Sequence, residues 1–326
     1  MAKKVIVVTG ATGTQGSSVV HVLLQTGEWH VRAVTRNPDG EKAKALAAKG
    51  AEVVAADYDD EESVRKAFTG AHAIFAVTNW WEYLRKGFTQ AQAGDIEERQ
   101  GVTLARLAAE VKTLEHFIWS TLPAAEQLTD GKCPVPHFDY KAKVDRHIRE
   151  QMPDLAAKST FLFFGFYPSN FAFFPMLKPM AVPTAPGKYL WLVASDPLAN
   201  LPISGDMEKA PGVWVRQILA NPQLTHGKYA AVCVEVITLK QALAEWESVS
   251  GKSAVFVRVT PADFGKLYGL AGQEACTQLA FGEAVPDWYA HVREQGLFVT
   301  KEELGISTDE VADFKGSLEL VKEYLG

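Results

Sequence analysis

Gly10, Gly13 and Gly16 stand three residues apart in the run Gly10-Ala11-Thr12-Gly13-Thr14-Gln15-Gly16, directly after the apolar residues 5–9. Val19, Val20, Leu23 and Leu24 then follow at helical spacing. A glycine turn between a buried strand and an amphipathic helix lets backbone N–H groups approach a pyrophosphate at the positive end of the helix dipole. Gly16 lets that helix sit tightly on the strand. Arg36 lies twenty residues after Gly16, in Val34-Thr35-Arg36-Asn37-Pro38. Sites selective for NAD(H) place an acid ~20 residues on, at the end of the second strand, to bond the ribose hydroxyls. No acid stands there, and an arginine offers a planar donor fork suited to phosphate. The implied ligand carries a 2′-phosphate, which favours NADP(H) over NAD(H).

Further candidates follow the later strands. Asp57 and Tyr58 stand where an adenine amino group could be held, or are plain turn residues. Val77, Thr78 and Asn79 fall at the binding edge, near a ribose or the inner phosphate. Trp80 and Trp81 either shield the site or pack a loop. Short-chain dehydrogenases use Ser, Tyr and Lys, with the last two spaced YxxxK; the lysine lowers the tyrosine pKa and the tyrosine transfers a proton. Ser120 fits the serine and Lys141 the lysine, but the position four before Lys141 is His137. Tyr140 adjoins Lys141 and points ~100° away on a helix. Two readings stay open: the nucleotide is a signal without proton transfer, or His137, Lys141 or a water supplies the proton. Lys141 can hold nicotinamide ribose hydroxyls in either case. In the segment Phe166-Tyr167-Pro168-Ser169-Asn170, the candidates Tyr167, Ser169 and Asn170 fall on a turn that could lie against the nicotinamide, with Phe171, Phe173 and Phe174 as an apolar wall or as core. The remaining histidines show no metal-ligand spacing, and no metal is expected.

Short β-branched runs alternating with helical ones must position these residues. Strands are expected at 5–9, 31–34, 52–56, 73–77, 116–119 and 161–164, and helices at 17–25, 41–49, 61–68, 95–111 and 140–151. Such alternation means an α/β fold, a Rossmann doubly wound parallel sheet, whose right-handed crossovers bring the strand carboxyl ends to one edge. Residues 175–200 read as a hairpin or extended lobe. Helices at 212–220 and 239–249, strands at 229–236 and 254–259, and a helix opening at Pro261 complete a smaller C-terminal α/β lobe. The expected domains are 1–160, binding NADP(H), and 161–326, completing the cleft and adding some strands to the main sheet.

The 326 residues are 47% hydrophobic and 22% charged, an ordinary globular composition. Lys plus Arg is 33 and Asp plus Glu is 39, a net charge of −6, which argues against binding nucleic acid by bulk charge. Cys133, Cys233 and Cys276 are odd in number and far apart, so neither disulfides nor zinc are expected and a reducing compartment is. No run approaches the ~18 apolar residues of a membrane span. A cytoplasmic protein, or one also nuclear, is expected; monomer or homodimer is left open.

The segments 7–17 and 31–38, together with Gly50-Ala51-Glu52-Val53-Val54, Val77-Thr78-Asn79-Trp80-Trp81-Glu82, His137-Phe138-Asp139-Tyr140-Lys141 and Leu201-Pro202-Ile203-Ser204-Gly205-Asp206-Met207, resemble the NmrA-like family of atypical short-chain dehydrogenases. The resemblance covers nearly the whole chain. It implies NADP(H) held between a Rossmann domain and a smaller lobe, Arg36 at the 2′-phosphate, Gly10 to Gly16 at the phosphates, and Thr78 and Asn79 near the cofactor. It also implies redox sensing with little turnover and a protein partner, a transcription regulator or a biosynthetic enzyme. Sensor members likewise lack the tyrosine before the lysine. Other relatives are reductases, so the alternative is an NADPH-dependent reductase of a hydrophobic small molecule, a carbonyl, imine or enone.

Overall fold

The computed structural model describes residues 3–307 and 309–325. Its centre is a parallel sheet of eight strands: β1 (Lys4–Val8), β2 (Trp29–Thr35), β3 (Glu52–Ala55), β4 (Ala73–Ala76), β5 (His116–Thr121), β6 (Ser159–Phe164), β10 (Lys228–Val232) and β13 (Phe298–Val299). The spatial order is β13-β10-β6-β5-β4-β1-β2-β3. The order reverses between β1 and β4, and that is where a crevice opens at the carboxyl edge of such sheets.

Strand burial explains why these runs pair as they do. Ile6 and Val8 belong to one hydrophobic cluster and Val7 to another. Leu162 and Phe164 likewise separate from Phe161 and Phe163. Alternate side chains thus enter cores on opposite faces, as a strand covered on both sides requires. Among the described residues eight helices serve the first half: α1 (Thr14–Thr26), α2 (Glu41–Ala48), α3 (Glu61–Phe68), α4 (Trp80–Arg85), α5 (Gln90–Ala109), α6 (Ala125–Leu128), α7 (Pro136–Gln151) and α8 (Pro153–Ala156). The left-handed Gly27 ends α1, its N–H bonded to the Leu24 carbonyl. Asp60 caps α3, accepting from the N–H groups of Glu62 and Ser63. Helix α5 begins at a Thr89–Gln92 capping box.

Two small sheets stand beside the main one. β9 (Asn200–Ile203) pairs antiparallel with β11 (Glu235–Thr238). β8 (Lys188–Val193) pairs antiparallel with β7 (Met180–Ala181) and parallel with β12 (Ser253–Arg258). The expected strand at 229–236 is in fact two. β10 stays in the central sheet, and Val234 then donates to the Ile203 carbonyl, so the chain leaves to pair with β9. Some helices also differ from expectation, α1 starting at Thr14 rather than residue 17. α7 starts at Pro136, in the favoured first position, so His137 and Lys141 share one helical face. α5 starts at Gln90, where its capping box lies. Trp80 and Trp81 are not loop residues but open α4, with Trp80 buried to 1%. The helix Pro261–Ala284 kinks at Gly269, whose φ of 62° and ψ of −151° are not helical. Among the described residues no helix is long and apolar enough to cross a membrane.

Helix Ala210–Ala220 packs along α1 at very close range. A Cβ on Gly212 would lie 2.5 Å from both the Ser18 carbonyl oxygen and Val22 Cγ2. Gly212→Val should therefore cost at least about 1–3 kcal/mol by overpacking. Urea unfolding checks this: the midpoint should fall at unchanged slope, and an unmoved midpoint would show that the two helices separate freely.

Candidate functional site

The cleft begins where β1 turns into α1. Gly10 sits at φ 56°, and a Cβ there would lie 2.8 Å from Val77 Cγ1. Gly13 caps α1 and donates to the Gly10 carbonyl at 2.9 Å. A Cβ on Gly16 would collide with that same carbonyl oxygen. The three glycines thus hold the loop flat under the first turn of α1, whose N–H groups have no acceptor within the helix. This cradle fits a diphosphate: no side chain fills it, and the helix end supplies donors and positive potential.

From the cradle a cavity of about 660 Å³ extends both ways. Gly10, Thr12, Gly13, Thr14, Gln15 and Gly16 line it, as do Arg36, Asp57, Tyr58, Val77, Thr78 and Asn79, then Ser120, His137, Lys141, Tyr167 and Asn170. Ser169 does not; it precedes the short helix Asn170–Phe173. Of the three phenylalanines read as wall or core, Phe174 reaches the cavity. Phe171 is core and Phe173 is 57% exposed, because a single helical turn points neighbouring residues in different directions.

At one end, Arg36 makes a two-bond fork with Glu82: Nη1 donates to Oε1 at 2.6 Å and Nη2 to Oε2 at 2.7 Å. Lys86 donates to Oε1 at 2.7 Å. The Arg36 guanidinium foremost, then Lys86, holds the Glu82 carboxyl down to about 2. The Tyr58 hydroxyl donates to the Val77 carbonyl at 3.1 Å, and burial pushes its phenol up to about 12. Asp57 accepts the Asp59 N–H at 3.0 Å.

At the other end, each cationic or basic side chain also meets a carboxylate. Lys141 Nζ lies 2.9 Å from Glu97 Oε1 and donates to Thr78 Oγ1 at 2.8 Å. Thr78 in turn donates to Glu97, which is wholly buried. His137 Nδ1 lies 2.5 Å from Glu274 Oε1, a fully buried carboxylate on the helix Pro261–Ala284. The His137 backbone N–H and the Gln90 amide also donate to Glu274. A carboxylate only accepts, so Nδ1 is the ring atom that donates to Glu274, and the His137 ring lines the cavity. Trp81 packs on the His137 ring at 5.2 Å and on Phe174 at 5.3 Å. Ser120 donates to Gln15 Oε1 at 2.7 Å, and Gln15 Nε2 donates to the Tyr167 hydroxyl at 2.7 Å. Tyr140 does not line the cavity; it lies against Gly94 under Lys143. Both Trp80 and Trp81 line the cavity, as the shielding reading had it. Sequence reasoning missed the roles of Glu82, Glu97 and Glu274. Their separations from their partners, 19 to 137 residues for the hydrogen-bonded ones, follow no local rule.

Cradle, switch-point crevice and crossover order together define a Rossmann-type α/β protein with its cleft at the carboxyl edge of the sheet. The chain belongs to the NmrA-like family, whose model matches residues 2–296. An NmrA-like family domain-containing protein of Dictyostelium discoideum is 32% identical over 285 residues, 86% of this chain and 87% of that one. An NmrA-like family domain-containing oxidoreductase of Aspergillus hancockii is 27% identical, covering 86% and 82%. Among solved structures, Nmra, a negative transcriptional regulator, superposes with a TM-score of 0.78 at 26% identity, covering 99% of this chain and 96% of that one. The same regulator has been solved with NADP and with NAD.

One turn beyond Lys141, the buried Asp145 has its carboxyl pushed up to about 8, chiefly by desolvation. Its unfolded value is ~3.9. The folded state thus keeps a proton that the unfolded state releases, so this group's contribution to stability declines as pH rises from ~4 to about 8. Asp145→Asn should remove that decline. Urea unfolding across this range should show the variant gaining on the parent as pH rises; parallel curves would refute the assignment.

Proposed function

We propose that this protein binds NADP(H) in the cleft and serves as a redox-responsive regulator with little or no dehydrogenase turnover. The observation that carries the reading is the commitment of Lys141 to Glu97 and Thr78, with His137 rather than a tyrosine four positions before it. The phenol–lysine couple of proton-transferring dehydrogenases has no counterpart here. Gly10 to Gly16 hold the diphosphate, Arg36 meets the 2′-phosphate, and Thr78, Asn79, Tyr167 and Asn170 flank the nicotinamide half. A cofactor in this cleft would lie between the main sheet and side chains such as Gln278 of the helix Pro261–Ala284, which also lines the cavity, so its arrival would bear on both. A partner protein in the cytosol or nucleus would read that change. The solved NADP and NAD complexes of the regulator Nmra support the reading.

Arg36→Gln should weaken NADPH binding by about 2–3 kcal/mol, the worth of hydrogen bonds to a charged group, and NADH binding far less. Titrations followed by nicotinamide fluorescence check this, and undiminished NADPH affinity would remove Arg36 from the phosphate.

A second reading rests on the His137–Glu274 pair and on relatives named oxidoreductases. In it the protein reduces a hydrophobic carbonyl, imine or enone. A bound dinucleotide would supply the hydride. The His137 ring, first protonated at Nε2 from solvent to the imidazolium, would give that proton to the substrate oxygen, nitrogen or carbon and return to the neutral form, its Nδ1–H held and its charge steadied by Glu274 throughout. Trp81, Phe174 and Leu177 would hold the apolar substrate. A substrate panel followed by NADPH absorbance decides between the two readings. Turnover that drops about 10²–10⁴-fold in His137→Asn favours the reductase. No consumption by protein that binds NADPH favours the regulator.

A further inference from the structure

We propose that Glu82 is a specificity determinant of the cleft: its carboxylate competes with a 2′-phosphate for Arg36 and so restrains the preference for NADP(H) over NAD(H). The inference rests on the reading that Arg36 meets that phosphate, and deepens it.

The fork between the two residues is complete. Both terminal guanidinium nitrogens donate to separate oxygens of Glu82, at 2.6 and 2.7 Å. This is the planar two-bond geometry with which arginine would grip a phosphate. The carboxylate is the fixed member of the pair. Its side chain is 19% exposed against 55% for Arg36. Lys86, one turn on, donates to it at 2.7 Å. Its short helix is anchored by the buried Trp80, whose backbone N–H donates to Glu97 at 3.1 Å. Arg36, at the end of β2, is the more exposed arm. A phosphate that takes Arg36 must either draw the guanidinium away from Glu82 or settle beside a like charge. Lys86 stays on the carboxylate, and a carboxyl of ordinary pKa is ionised at neutral pH, so that charge persists when Arg36 leaves.

A ribose 2′-hydroxyl has the opposite relation to this carboxylate, since it can donate to it. The same residue therefore penalises the phosphorylated dinucleotide and tolerates or assists the other. Asp57 acts on Arg36 in the same sense as Glu82, while Arg85, also in the cavity lining, and Lys86 offset part of the negative charge. The device explains how a chain with an arginine and no acid at the end of β2 still presents an acid to the ribose. That acid comes from α4, 46 residues later.

The test is a double-mutant cycle on the whole protein. NADPH and NADH are titrated by nicotinamide fluorescence at one pH and salt concentration against the parent, Glu82→Gln, Arg36→Gln and the double variant. Glu82→Gln keeps the shape and removes the charge. It should raise the NADPH:NADH affinity ratio about tenfold, a difference of about 1.4 kcal/mol. The double variant should show no such rise over Arg36→Gln. A ratio within about twofold of the parent in both Glu82→Gln and Glu82→Ala overturns the proposal and leaves the phosphate contact standing. A preference for NADPH that survives Arg36→Gln overturns the phosphate contact and the proposal with it.

Discussion

The seat of α1 on the Gly10 carbonyl is the contact from which the cleft takes its form. Gly16 touches that carbonyl so closely that no side chain fits between. The same packing puts the helix start against the end of β1 and points its unbonded N–H groups into the cavity. On its flank α1 is clamped by the helix Ala210–Ala220 through Gly212, and at its start Gln15 reaches both Ser120 and Tyr167. A shift of α1 would disturb the cradle, the end of β5 and the turn after β6 together.

Around that seat the cleft is organised by pairing cations with carboxylates. Arg36 answers to Glu82, Lys141 to Glu97, and His137 to Glu274. The pairs differ in depth and hence in consequence. Glu97 and Glu274 are wholly buried, and a buried charge that loses its partner is costly, so these two fix Lys141 and His137 in place. Glu82 is partly exposed, its attraction is screened, and its partner can leave. Rigid pairs stand where the nicotinamide half would lie and an exchangeable pair where the adenosine half would.

The C-terminal segment takes part through a few long-range contacts. Glu274 descends from the helix Pro261–Ala284 onto the first turn of α7, where it receives a backbone N–H, an imidazole and the Gln90 amide. Three groups from two elements thus converge on one buried carboxylate. Trp81 closes the same region by packing on His137 and Phe174, and it adjoins Glu82 on α4. One short helix therefore touches both ends of the cleft.

The parallel α/β sheet, the glycine cradle and the residues along its edge were legible in the sequence, because each is a local matter. Strand burial shows in β-branched runs, helix faces in the spacing of Val19, Val20, Leu23 and Leu24, and the cradle in glycines that admit no Cβ. Where local rules conflicted with long-range pairing they failed. Residues 229–236 read as one strand, but β9 draws the second part away. Phe171, Phe173 and Phe174 read as one group, wall or core, but a single turn sends Phe171 to the core, Phe173 to solvent and Phe174 to the cavity. The carboxylates that decide the state of Arg36, Lys141 and His137 lay beyond reach for the same reason. Glu82, Glu97 and Glu274 are ordinary surface-type residues in sequence, and only the folding of the chain brings them from distant positions to the cations they hold. Local stereochemistry is written residue by residue; the charge balance of a cleft belongs to the folded chain.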